Sequence, residues 1–96
     1  MPEKMILKFP VKPETRGQFL EILAGAIPDT RAYDGCQRAD VYTPEDDEGA
    51  VSIWEEWDSR AHQQAYFDWR VQTGLLDAIG PFLTGAPTVT WLKEHA

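Results

Sequence analysis

Between Lys4 and Val11 the chain alternates, with Met5, Leu7, Phe9 and Val11 on one side and Lys4, Ile6, Lys8 and Pro10 on the other. Period-two alternation predicts a strand with one apolar face, and Pro10, which has no N–H to donate, belongs near its end or on an edge. The period then changes. Phe19, Leu20, Ile22, Leu23, Ala26 and Ile27 recur at helical spacing, and Pro13 stands where the first turn of a helix tolerates proline. Pro28 lacks an amide hydrogen and crowds the carbonyl of Ala24, so this helix is expected to kink or stop there before resuming through Thr30 to Tyr33. Gly35 suits a left-handed cap after it.

Residues 36–43 alternate again, mixed in character on both faces, and the acidic stretch from Thr43 to Gly49 reads as a hairpin turn. The returning strand, 50–57, carries Val51, Ile53, Glu55 and Trp57 on one face and Ser52, Trp54 and Glu56 on the other. Ser59, or Asp58 before it, can cap a second helix running to Thr73, with Gly74 as its stop. Leu75 to Ile79 allow a short third helix before Gly80-Pro81, and residues 87–93 have the β-branched and aromatic content of a last strand.

Strand, helix, strand, strand, helix, strand is the split βαβ order, which predicts an α+β domain of ferredoxin-like type. Helices would cover one sheet face. Every strand nevertheless shows apolar or aromatic residues on more than one face, so a second copy is the expected cover, giving a homodimer in which two sheets form a two-fold α+β barrel.

Ninety-six residues make one domain, 1–96, and 43% apolar with 26% charged residues is a globular balance. Nine Lys and Arg against sixteen Asp and Glu leave a net charge of −7, which argues against nucleic acid and anionic membrane as partners. No run approaches the roughly 18 apolar residues of a membrane span, and no signal-peptide region precedes the first strand, so a cytoplasmic protein is expected. The single cysteine, Cys36, excludes an internal disulfide and reads as a small buried hydrophobe. Asp58 and His62 share i, i+4 spacing, but two ligands without a third do not make a metal site. Phosphate loops, nucleotide fingerprints and nucleophile elbows are absent.

His62, Tyr66, Trp69 and Thr73 fall at i, i+4, i+7 and i+11 of the second helix and form one stripe. Read as a site, the stripe offers His62 as a general base, Tyr66 as a hydrogen-bonding partner for a phenolic oxygen, and Trp57 with Trp69 as a stacking wall. Read as packing, the same aromatics are core and His62 is a first-turn residue. Glu55 shares a strand face with Ile53 and Trp57, an unusual place for a carboxylate. A pocket-facing Glu55 would be a second base with a pKa raised by burial, whereas a partner such as Arg38 or Arg70 would make it structural, and the cost of an unpaired buried charge favours the pair.

From Lys12-Pro13, through Gly35-Cys36, to Glu55-Glu56-Trp57-Asp58-Ser59, the chain resembles the antibiotic-biosynthesis-monooxygenase type of dimeric α+β barrel. Tyr66-Phe67-Asp68-Trp69-Arg70 with Gly74 is similar to one branch of that family. The resemblance implies a cofactor-independent monooxygenase that binds a small phenolic, quinol-like or other aromatic substrate and dioxygen without flavin, haem or metal. From the residues themselves Glu55, His62 and Tyr66 are the catalytic candidates, and Trp57, Trp69, Arg70 and Ile53 are expected to contact substrate. A haem-degrading branch uses an Asn on the first strand, and this sequence contains no Asn. Quinone-forming members resemble a pattern with Asn four residues before the strand-three Trp, where Ile53 stands here, and the family's helix-two His aligns with Tyr66. The alternatives are a ligand-binding or protective protein without turnover and, further off, an isomerase or haem-degrading relative.

Overall fold

A computed structural model describes residues 2–96. Strand β1 (Glu3–Pro10) enters a 3-10 turn at Pro13–Thr15 and helix α1 (Arg16–Ala32). Strands β2 (Cys36–Tyr42) and β3 (Ala50–Trp57) follow, then helices α2 (Arg60–Thr73) and α3 (Leu75–Ile79), a 3-10 turn at Gly80–Phe82, and strand β4 (Thr88–Leu92). The sheet runs β2-β3-β1-β4 with every neighbouring pair antiparallel. This is the ferredoxin-like order that the alternation of strands and helices predicts.

Register sorts the strand residues into two faces. Met5 lies opposite Glu55, Leu7 opposite Ile53 and Phe9 opposite Val51, while Ala39 and Val41 of β2 lie opposite Glu55 and Ile53. These residues share one face, and Phe19, Leu23 and Ile27 of α1 pack on it with Ile79 of α3 to form the core. The Phe9 and Phe19 rings meet edge to face at 5.3 Å. Burying a side chain of this size contributes roughly 1.5–3 kcal/mol, so this layer holds the helices in place.

Of the kink or stop expected at Pro28, the stop does not occur: helix α1 passes through the proline and continues to Ala32, and buried Leu23, Ile27 and Thr30 on either side of it keep the inner face docked. Helix α2 has the predicted ends. Ser59 Oγ accepts from the His62 amide, and Gly74 at φ 84° takes the left-handed cap conformation. Gly35 is also left-handed, at φ 87°, and a Cβ there would collide with the His62 ring. The turn before β2 therefore requires glycine twice over, for its backbone and for the closeness of α2.

On the other face Ile6, Trp54 and Leu92 are half-buried and Tyr42 is exposed, interleaved with Lys8, Arg38 and Glu56. No described helix covers this side, and no described helix is long and apolar enough to cross a membrane.

Candidate functional site

Between the inner sheet face and the helices lies a cavity of about 260 Å³. Leu7, Ile53, Ile27 and Leu76 line its apolar walls. Phe67 on α2 and Val89 on β4 line it too while remaining 40% and 48% exposed, which sets them at its rim. Four polar side chains reach it: Glu55, Thr30, Tyr66 and Arg70.

Glu55 projects from the middle of β3 and is 2% exposed. Residues i and i+2 of a strand point the same way, so the Trp57 indole reaches back and its Nε1–H donates to Glu55 Oε1 at 2.8 Å. Neither arginine named from the sequence pairs with it. Arg38 lies opposite Glu56 in the register and pairs with Asp40 and Glu56, while Arg70 is committed to other groups. Burial raises the Glu55 pKa above the ordinary carboxylate value, and the indole N–H offsets this only in part.

Arg70 sits one helical turn after Tyr66 and is 7% exposed. Its Nε donates to the Tyr66 hydroxyl at 2.7 Å, and its Nη2 donates to the Ala26 carbonyl at 2.7 Å and to Thr30 Oγ1 at 3.1 Å. The Tyr66 and Thr30 hydroxyls are 2.6 Å apart, and Thr30 Oγ1 also lies 3.3 Å from the Ala26 carbonyl. One proton arrangement satisfies all of these contacts: Arg70 donates to both hydroxyls, Tyr66 donates to Thr30, and Thr30 donates to Ala26. The network ties α2 to α1 across the head of the cavity.

The helix-two stripe divides. Tyr66 enters the cavity, but Trp69 packs half-buried against Tyr33 at 5.4 Å and beneath the Arg70 guanidinium at 4.7 Å. Trp57 is fully buried against Tyr66 at 5.1 Å and contributes to the site through its N–H rather than as a lining wall. His62 lies outside the cavity lining. Its Nδ1 meets Ser59 Oγ at 2.7 Å, its Nε2 stands 3.8 Å from the Asp34 carboxylate, and its ring covers Gly35. Ile53 and Arg70 do line the cavity, with Glu55 and Tyr66. Thr30 is the polar residue the sequence reading passed over. Its signal is position, since Phe19, Leu23, Ile27 and Thr30 form the buried stripe of α1 and a hydroxyl there must find a partner. Among the described residues no three His, Cys, Asp or Glu side chains converge as metal ligands would.

Residues 4–71 match the sequence profile of the family described as antibiotic biosynthesis monooxygenase. Among solved structures, one named antibiotic biosynthesis monooxygenase superposes with a TM-score of 0.85 at 23% identity, covering 98% of this chain and 99% of that one. A conserved protein from Methanosarcina mazei Go1 gives 0.86 at 17% identity over 99% and 94% of the two chains. A Mycobacterium tuberculosis protein gives 0.75 at 28% identity over 100% and 97%. No curated protein matches the sequence. The profile match spans three strands and both long helices, and by that match the chain belongs to the antibiotic biosynthesis monooxygenase family.

Proposed function

We propose that the protein is a cofactor-independent monooxygenase acting on a small phenolic or quinol-like ring bound in the cavity between α2 and the sheet. The observation that carries this reading is Glu55, a carboxyl buried in an otherwise apolar sheet wall whose one hydrogen bond among the described residues comes from an indole N–H. A carboxylate held in such surroundings is a stronger base than one in water, and a phenolic proton is its natural target. The ring enters past Phe67 and Val89, and the apolar walls exclude water from it. Once deprotonated, the ring supplies the electrons that dioxygen needs. One oxygen atom bonds to a ring carbon and the other leaves as water with two of the substrate's hydrogens, so a phenol becomes a quinone without an outside reductant. Ile53 and Tyr66 orient the ring. His62, on the far side of α2's first turn, has no part in this scheme.

Dissolved-oxygen uptake by metal-stripped protein over a panel of hydroquinones, anthrols and catechols tests the scheme. Turnover above autoxidation should fall about a hundredfold or more in Glu55→Gln, fall less in Tyr66→Phe, and survive in His62→Gln. Loss in His62→Gln with Glu55→Gln intact would move the base to His62. Saturable binding of a ring with no uptake would make this a ligand-binding protein without turnover.

We also propose that the open sheet face, with Ile6, Trp54, Tyr42 and Leu92, packs on the same face of a second copy. Sedimentation at micromolar concentration should then give twice the chain mass, and a species of 10.9 kDa would exclude the dimer.

A further inference from the structure

Arg70 is a buried cation with no carboxylate within ion-pair distance among the described residues. Guanidinium carries five N–H donors. Three of them are spent on Tyr66, Ala26 and Thr30. The remaining two are on Nη1, which bonds no described residue. Among the described residues no buried side-chain nitrogen lacks a partner, so Nη1 is not sealed in protein and borders open space in a residue that lines the cavity. A buried charge without its counter-charge is costly, and the groups this one bonds, two hydroxyls and a carbonyl, are neutral. Tyr66, Thr30 and the Ala26 carbonyl hold the guanidinium still, so little reorganisation is needed to receive a ligand.

We propose that the cavity selects a monoanion, an apolar one- or two-ring body whose single anionic oxygen, phenolate or carboxylate, docks on Arg70 Nη1. The size follows from the volume: about 260 Å³ lies just under the roughly 300–1,000 Å³ of most small-molecule pockets. The contact is to one oxygen because Nη2 is already occupied, which rules out the two-pronged grip arginine usually offers a carboxylate. Glu55 projects from the sheet and no ion pair joins it to Arg70, so the ring spans the space between an anchoring cation and a carboxyl. The inference names the ligand class for the cavity used in the proposed oxygenation, and binding alone tests it.

Calorimetry on the intact protein would compare two matched pairs, 4-nitrophenol as its phenolate against 4-nitroanisole and 2-naphthoate against 2-naphthamide. In at least one pair the anion should bind about tenfold or more tightly than its neutral partner, the value of one charge-assisted hydrogen bond. The pair that responds identifies phenolate or carboxylate. Bound 4-nitrophenol should also ionise at lower pH than free 4-nitrophenol, read from its phenolate absorbance. Arg70→Gln should level the pair, with Arg70→Lys restoring part of the preference. Should Arg70→Gln fail to fold, the wild-type pairs still decide. Equal affinity for anion and neutral partner, or no binding of any of the four, overturns the proposal. Anion preference without oxygen uptake would overturn the oxygenation and leave this inference standing, and uptake without anion preference would do the reverse.

Discussion

Two adjacent glutamates, Glu55 and Glu56, sit on opposite faces of β3, and each accepts an indole N–H from a tryptophan two residues away. Trp57 serves Glu55 at 2.8 Å on the inner face, and Trp54 serves Glu56 at 3.0 Å on the outer. Their surroundings separate them. Glu56 also faces Arg38, whose Nη1 lies 3.4 Å away and whose guanidinium stands 5.7 Å over the Trp54 ring. Among the described residues Glu55 pairs with no cation and bonds the Trp57 indole, and burial raises its pKa. The same local Glu–Trp device thus serves as a solvated ion-pair network on one face and as a candidate base on the other. What distinguishes them is the side of the sheet and not the motif.

The largest expected break in this symmetry is Trp57→Ala. Removing a fully buried tryptophan costs about 3–5 kcal/mol and strips Glu55 of its donor, whereas Trp54→Ala should cost much less in a urea titration. Equal losses would erase the difference between the faces. Next comes Glu55→Gln read against pH. A raised folded pKa means that the native state holds its proton more tightly than the unfolded chain. Wild-type stability therefore falls as pH rises from the ordinary carboxylate value through the folded one. The variant lacks that loss. Its melting temperature should match wild type near the ordinary carboxylate value, roughly pH 4, and exceed it increasingly as pH rises through the folded value; parallel curves would mean that Glu55 titrates normally. The smallest effect is Glu56→Gln, worth under about 1 kcal/mol and fading with added salt, as expected for a partly exposed pair.

The strands, both long helices and the caps at Ser59 and Gly74 were legible because periodicity and end chemistry are local. Pro28 left a kink and a stop both open for the same reason: a single residue argues for interruption, and the docking of Leu23, Ile27 and Thr30, which carries the helix on, is not local. At the site, Glu55 could be singled out because a carboxylate on an apolar strand face is anomalous in one dimension. Its partner could not, since Arg38 and Arg70 are sorted by register and helix docking. The helix-two stripe fared worst. Spacing put His62 with Tyr66, but the cavity takes Tyr66 with Arg70, because the helix's approach to the sheet turns its first turn toward Gly35. Thr30 joins the site through contacts 36 and 40 residues along the chain.

The apolar cavity has one more consequence, under compression. A void inside a folded chain is volume that unfolding eliminates, so hydrostatic pressure favours the unfolded state in proportion to it. A molecule of this size with an apolar-walled cavity of about 260 Å³ should be soft to pressure for its thermal stability. Any guest that fills the space would stiffen it, and the pressure midpoint then reports occupancy without a label, a colour change or turnover.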